Sequence, residues 1–293
     1  MLIVGAGAVG QVFGHYMALG GASVGVSVRP HRVDEARRFT LYRVTGRDRT
    51  DTGVFRPITV VSTPAEVAGH SWDQIWLCVP SDALDRSWLE SLIAASGSTT
   101  IVGLTPGLHD AARLREWFPS HRHVDGVIGF MAWHSPLPGE ARGPGTSVWL
   151  PPLSASFFDG PDAGSIVNVL RSGGLPAQVK RGAAGLGAQA SALMLPVIGA
   201  LGEAGWSLRD LIHGRRLAPA MASARHALRV VDRVHGTNSA FLRFIARAWL
   251  ARLALGLAPR IVPFPFEAYL RVHFTKVGSQ VTAMLRDYGA PLS

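Results

Sequence analysis

Met1-Leu2-Ile3-Val4-Gly5-Ala6-Gly7-Ala8-Val9-Gly10 is the stretch on which the fold turns. Leu2–Val4 reads as a short buried strand. Gly5–Gly10 is a G-x-G-x-x-G turn that follows the strand and opens a helix running toward Leu19. Each glycine has its own task. Gly5 permits the tight turn, Gly7 lets the backbone approach a pyrophosphate, and Gly10 lets the helix pack on the strand. The helix then presents free N–H groups and the positive end of its dipole to an anion. Gly5, Ala6, Gly7, Ala8, Val9 and Gly10 are therefore the first candidate cofactor contacts.

Working outward, the next strand, Ser23–Val28, ends in Ser27-Val28-Arg29-Pro30-His31-Arg32. A carboxylate here would bind the ribose hydroxyl of NAD, yet no acid occurs before Asp34. Arg29 and Arg32 can instead hold a 2′-phosphate through charge-assisted hydrogen bonds, so the expected cofactor is NADP. Further strands are predicted at Gln74–Val79, Thr99–Val102, Val124–Met131, Thr146–Leu150 and near Ala177–Lys180. Ligands lie beyond the carboxyl edge of such a sheet. This adds Val79, Pro80 and Ser81 after one strand, and Thr105 and Pro106 after the next, as cofactor contacts. Cys78 lies inside a strand and reads as a small buried hydrophobe.

Phe39–Val61 is polar, Arg-rich and interrupted by Gly46 and Gly53, which predicts a hairpin-like insertion. Pro151–Gly164 reads as a loop. Beyond Ala183 the chain turns Ala/Leu-rich, and Ala183–Ala204, Leu208–Val234, Ser239–Leu257 and Phe266–Tyr288 are predicted as helices, punctuated by Gly205, Gly236 and Pro259. The expected architecture is α/β: an N-terminal Rossmann-like dinucleotide-binding domain over 1–182, then an all-helical substrate and dimerisation domain over 183–293.

Composition sets the outer limits. The 293 residues are 47% hydrophobic and 17% charged, enough apolar material for a sizeable core. One cysteine excludes a disulfide framework and a Cys-rich zinc site; His, Asp and Glu are too dispersed for a metal site. The net charge is +9, carried by scattered arginines without a nucleic-acid-binding motif, so no nucleic-acid partner is expected. Ser239–Leu257 approaches bilayer length but holds Arg243, Arg247 and Arg252. It is expected as a buried helix with an exposed Arg stripe, without stable membrane insertion, the alternative being an interfacial membrane helix. No signal peptide is visible, and a cytoplasmic homodimer acting on a small-molecule substrate is expected.

The glycine turn, Arg29, Leu104-Thr105-Pro106-Gly107 and the terminal Thr282-Ala283-Met284-Leu285-Arg286-Asp287 together make the sequence resemble the ketopantoate reductase family. The resemblance implies a two-domain NADP-dependent reductase, its site between the domains, that reduces a 2-oxo acid to a 2-hydroxy acid. The sequence departs from the family pattern at four places. Pro106 stands where the family has Asn. Ala184-Gly185-Leu186-Gly187-Ala188-Gln189 lacks the family's catalytic Lys. Ala283 replaces a substrate-binding Ser, and no Glu follows Asp287. Asp287 itself matches and is carried over as a substrate contact.

Carbonyl reduction also needs an acid for the developing alkoxide. Lys276 is the first candidate, being one of two lysines and tunable by burial where arginine is not. His273, Lys276 and Gln280 occur at i, i+3 and i+7 of a predicted helical run and so share one helical face, and His134, after the strand Val124–Met131, is expected at the cofactor edge. The expected catalytic set is Lys276, His273 and His134, with Gln280 and Asp287 touching substrate. Two other readings stand beside a reductase with an altered substrate. One is an NADP-binding sensor or partner subunit that has lost catalysis. The other is an opine- or glycerol-phosphate-type dehydrogenase, suggested by Val79-Pro80-Ser81.

Overall fold

In the computed structural model, which describes residues 1–98 and 100–289, strand β1 (Leu2–Val4) passes through the glycine turn into helix α1 (Ala8–Leu19). The chain continues through β2 (Gly25–Ser27), β3 (Phe39–Gly46), β4 (Arg49–Phe55), β5 (Val60–Val61), α2 (Pro64–Ala68) and β6 (Gln74–Leu77). Next come α3 (Arg86–Ser96), β7 (Thr100–Gly103), α4 (Asp110–Trp117), β8 (Arg122–Val127), β9 (Met131–Ser135) and β10 (Gly145–Trp149). β11 (Ser156–Asp159), α5 (Ala163–Ser172) and β12 (Ala177–Val179) complete the α/β part. Thr99, where the fourth expected strand began, lies outside the described residues.

The main sheet has the order β12-β11-β8-β7-β6-β1-β2-β5, parallel except where β11 meets β8. From β5 to β8 this is the 3-2-1-4-5-6 order of a doubly wound dinucleotide fold, with its switch point between β1 and β6. Alternation along the strands supplies two buried faces. Ile3, Trp76 and Val102 pack with Phe13, Met17 and Phe158 on one side. Leu2, Val4, Ile75, Leu77 and Ile101 pack with Leu89, Leu92 and Ile93 on the other.

Three expectations change here. Val124–Met131 is not one strand: the chain leaves β8 at Val127 and enters a second sheet as β9. Gly129 lies so close to Ala155 that a Cβ would meet its carbonyl carbon at 2.1 Å, and its N–H donates to Ser156 Oγ at 3.1 Å. The stretch Pro151–Gly164 is not wholly loop, because β11 is held between β8 and β12. The Phe39–Val61 hairpin does form, as β3 and β4, but it joins β10 and β9 in a four-stranded sheet of order β4-β3-β10-β9.

The chain divides into two units: 1–105, 109–135 and 142–183; and 106–108, 136–141 and 184–293. The helices of the second are α6 (Ala183–Glu203), α7 (Leu208–His213), α8 (Leu217–His235), α9 (Ala240–Ile245), α10 (Ala248–Ile261), α11 (Phe266–Lys276) and α12 (Gly278–Asp287). Each of the last three expected helices is broken in two. Leu208–Val234 breaks at Gly214. Ser239–Leu257 breaks at Ala246, whose carbonyl accepts from Arg225 Nη1 at 2.6 Å and so leaves the helical ladder. Phe266–Tyr288 breaks at Val277, with φ −107° and ψ 25°. Pro259, expected as punctuation, lies inside α10. The expected burial of Ser239–Leu257 also fails, because neither α9 nor α10 contains a buried residue. Among the described residues it is α6 that is long and apolar enough to cross a membrane, and over half of that window is buried.

A polar knot joins α8 to α9. Asp232 accepts from Thr237 Oγ1 at 2.8 Å, Ser239 Oγ at 2.7 Å and Ser239 N at 3.1 Å, and pairs with Arg243. Gln189 of α6 donates to Ser239 Oγ at 2.8 Å. Desolvation raises the Asp232 carboxyl, but these donors outweigh it and hold it down at about 2. A depressed carboxyl stabilises the fold above its unfolded value of about 3.9, and that stabilisation is lost as pH falls through the folded value. Asp232→Asn is expected to cost about 2 kcal/mol at neutral pH. The variant should also lose the wild-type decline in melting temperature between about pH 4 and pH 2. Thermal melts across that range check both.

Candidate functional site

The site begins at the switch point. Gly5 has φ +93°, and a Cβ there would meet Cys78 O at 2.7 Å, so the turn after β1 lies directly against the end of β6. A Cβ on Gly10 would meet Gly5 O at 2.3 Å, which is the close helix–strand contact the motif demands. Gly7, the N-cap of α1, faces open space, with nothing within 4 Å of an added Cβ. No side chain caps α1, and its first turn carries no acid, so its first-turn N–H groups have no intrahelical partner.

One determinant of this turn escaped the sequence reading. Gln11 is buried, and its Nε2 donates to Ala6 O at 2.9 Å. Thr146 Oγ1 on β10 donates to Gln11 Oε1 at 2.5 Å, and His134 Nδ1 lies 3.3 Å from the same hydroxyl. The hydroxyl proton is already committed to Gln11, so the imidazole Nδ1–H donates to Thr146. His134 is thus not at a strand end on the cofactor edge. It sits within β9 of the smaller sheet, linked to the glycine turn through two side chains. A glutamine one residue past a G-x-G-x-x-G was the available signal. Gln11→Leu is expected to cost about 2 kcal/mol, because Ala6 O and the Thr146 hydroxyl lose a buried partner. Chemical denaturation checks this.

The remaining cofactor candidates follow the ends of β6, β7 and β2. Beyond β6, burial pushes the Cys78 thiol up, which makes it a poor nucleophile. Ser81 Oγ is buried and has no hydrogen-bond partner among the described residues. Leu104 N donates to Leu77 O at 3.4 Å, which brings Thr105 to the end of the neighbouring strand; Pro106 opens the short 106–108 segment of the second unit. At the end of β2, Arg29 is exposed and has no ion-pair partner among the described residues. Arg32 is drawn to Glu35 at 3.2 Å, which weakens it as a phosphate ligand. An uncapped helix start, an open Gly7 and an orphaned Ser81 hydroxyl together fit a dinucleotide pyrophosphate.

A family model for ketopantoate reductase PanE/ApbA matches residues 1–151. The chain belongs to the ketopantoate reductase family. Its members are oxidoreductases that act on a keto or hydroxy group with a nicotinamide dinucleotide. Among solved structures, the PanE/ApbA family ketopantoate reductase of Ralstonia eutropha JMP134 is 18% identical with a TM-score of 0.62, over 100% of this chain and 94% of that one. The 2-dehydropantoate 2-reductase of Methylococcus capsulatus is 14% identical with a TM-score of 0.60, over 96% and 97%. A D-mandelate dehydrogenase, solved with NADH and anilino(oxo)acetate, is 14% identical with a TM-score of 0.59, over 99% and 100%. At these identities the likeness is one of fold. No curated protein matches the sequence.

In this family member the second unit has its own cleft, of about 580 Å³, along α11; Pro138, Trp206, Glu267, Arg271, Thr275 and Lys276 help line it. Lys276 is exposed at the end of α11. His273 stacks on Tyr269 at 5.4 Å and meets the edge of Phe274 at 4.8 Å. Burial, with a smaller contribution from the Lys276 charge, lowers the His273 imidazole to about 4, so it is neutral at physiological pH. Glu267 does not orient either residue, because Oε2 accepts from Leu208 N at 3.1 Å and caps α7. The shared face expected for His273, Lys276 and Gln280 is broken. Gln280 belongs to α12, where Nε2 donates to Met284 Sδ at 3.7 Å. Asp287 is exposed at the far end of α12.

Proposed function

We propose that this chain is an NADPH-dependent reductase acting on a carbonyl compound, a 2-oxo acid or a close relative. The observation that carries the reading is the open Gly7 at an uncapped helix start, next to an unpaired Arg29 where NAD-specific folds carry an acid. The first-turn N–H groups of α1 and the Ser81 hydroxyl would hold the pyrophosphate, and Arg29 would hold the 2′-phosphate. Bound NADPH supplies the hydride for the carbonyl carbon. Lys276 Nζ, at the cleft along α11, gives a proton to the developing alkoxide. Pro106, Ala283 and the lysine-free start of α6 support a substrate other than the family's usual one.

Those same departures favour a second reading, in which the chain binds NADPH as a sensor or partner subunit without turnover. A coenzyme titration followed by a panel of 2-oxo acids, imines and phosphorylated ketones separates the readings. The reductase reading expects NADPH oxidation with a 2-oxo acid and weaker use of NADH. It also expects a kcat about a hundredfold lower in Lys276→Ala. Tight NADPH binding with no turnover establishes the sensor, and turnover confined to imines or phosphorylated ketones establishes an opine- or glycerol-phosphate-type enzyme. Arg29→Ala should weaken NADPH about tenfold while sparing NADH.

A further inference from the structure

The face of α9 and α10 that the fold leaves uncovered has an unusual chemistry. Phe241 and Phe244 lie one turn apart on α9. Trp249, Leu253, Leu257 and Ile261 follow at four-residue spacing and form one row along α10. These six side chains keep 43% to 71% of their surface exposed. Scattered exposed apolar residues are ordinary, but a contiguous row of large ones marks a contact surface.

Charge decides what that contact is. Residues 204–261 hold ten arginines and two aspartates, a formal +8 of the chain's +9. No acid occurs anywhere in 233–266. Asp232 is engaged by Arg243, while Arg247, Arg252 and Arg260 remain exposed beside the apolar row. A second copy docked by a two-fold axis would bring two arginine-rich segments together with no carboxylate from 233–266 between them. An anionic bilayer surface satisfies both halves of the pattern. Aromatic and leucine side chains enter the headgroup–acyl boundary, and guanidinium groups meet lipid phosphates.

We propose that α9 and α10 form a peripheral docking surface for anionic phospholipid, reversible and without insertion across the bilayer. The proposal is independent of the reductase reading. The test is co-sedimentation of the full chain with vesicles of phosphatidylcholine alone and of phosphatidylcholine with phosphatidylglycerol, at low and high salt. Partition onto the phosphatidylglycerol vesicles is expected to exceed that onto neutral ones by about tenfold and to fall with salt. Arg247→Gln should reduce it about fivefold. The double variant Trp249→Ser, Leu253→Ser should abolish it with an unchanged melting temperature. Quenching of wild-type tryptophan fluorescence by brominated lipid, reduced in Trp249→Phe, gives a readout that does not depend on the double variant folding. Binding to neither vesicle, equal binding to both, or a dimer in sedimentation velocity that the double variant dissolves would overturn the proposal; the last result assigns the face to a second copy.

Discussion

Gly10→Ala is expected to destabilise the protein by about 3 kcal/mol, lowering the melting temperature by several degrees. The methyl group would stand 2.3 Å from Gly5 O and 3.0 Å from Ile3 Cγ2. The first of these is a backbone atom with no rotamer to yield. Gly5 has no free room on the β6 side either, because a Cβ built on it would stand 2.7 Å from Cys78 O, and its φ is +93°. Relief therefore requires α1 to move off the sheet, which opens the contacts of Phe13 with Trp76 at 5.4 Å and with Phe130 at 5.0 Å. Differential scanning calorimetry measures the effect directly. A variant as stable as the wild type would show that α1 can shift without cost, and would remove close packing as the reason for this glycine.

Gly7→Ala is expected to behave in the opposite way. No protein atom lies within 4 Å of the added Cβ, and the backbone at φ −74° and ψ −175° is open to alanine, so the cost is that of alanine replacing glycine at an N-cap, and the melting temperature should fall by no more than about 3 degrees. The methyl group does, however, occupy the space that a pyrophosphate needs at the start of α1. Coenzyme affinity is expected to fall by about a hundredfold, the equivalent of losing two or more charge-assisted hydrogen bonds to backbone N–H groups. Titration calorimetry with NADPH, read beside the melt, distinguishes a blocked site from a damaged fold. Affinity within twofold of the wild type would show that the phosphates lie elsewhere, and the reductase reading would lose its anchor.

The contrast between these two glycines bears on how far sequence reasoning reached. The six-residue turn was legible because all its determinants are local: a strand three residues long, fixed glycine offsets and a helix start. The β3–β4 hairpin was legible for the same reason. Arg29 could be placed at the end of β2 from its spacing alone, but the pairing of Arg32 with Glu35 could not be weighed without side-chain geometry. Gln11 was overlooked because a buried glutamine has no period or motif. Its role exists only once Thr146, 135 residues away, is brought beside it. His134 was misplaced because Val124–Met131 reads as one apolar run, whereas the chain changes sheets within it.

The helical half failed more often, and for one reason. Alanine and leucine favour helix at almost every position from Ala183 onward, so propensity cannot locate a break that a distant partner imposes. At Ala246 that partner is Arg225, which takes the carbonyl that the next helical turn would have used. The same blindness turned α9 and α10 into an expected buried helix, because apolar content was read as burial although neither helix contains a fully buried residue.

From the residues alone came the dinucleotide turn, the α/β-then-helical order and the family, since each follows from short-range spacing and composition. The packing of the folded chain alone decided what steadies Ala6 and which apolar row meets solvent. Those outcomes depend on distances between residues far apart in the chain, and such distances have no value until the backbone has closed on itself.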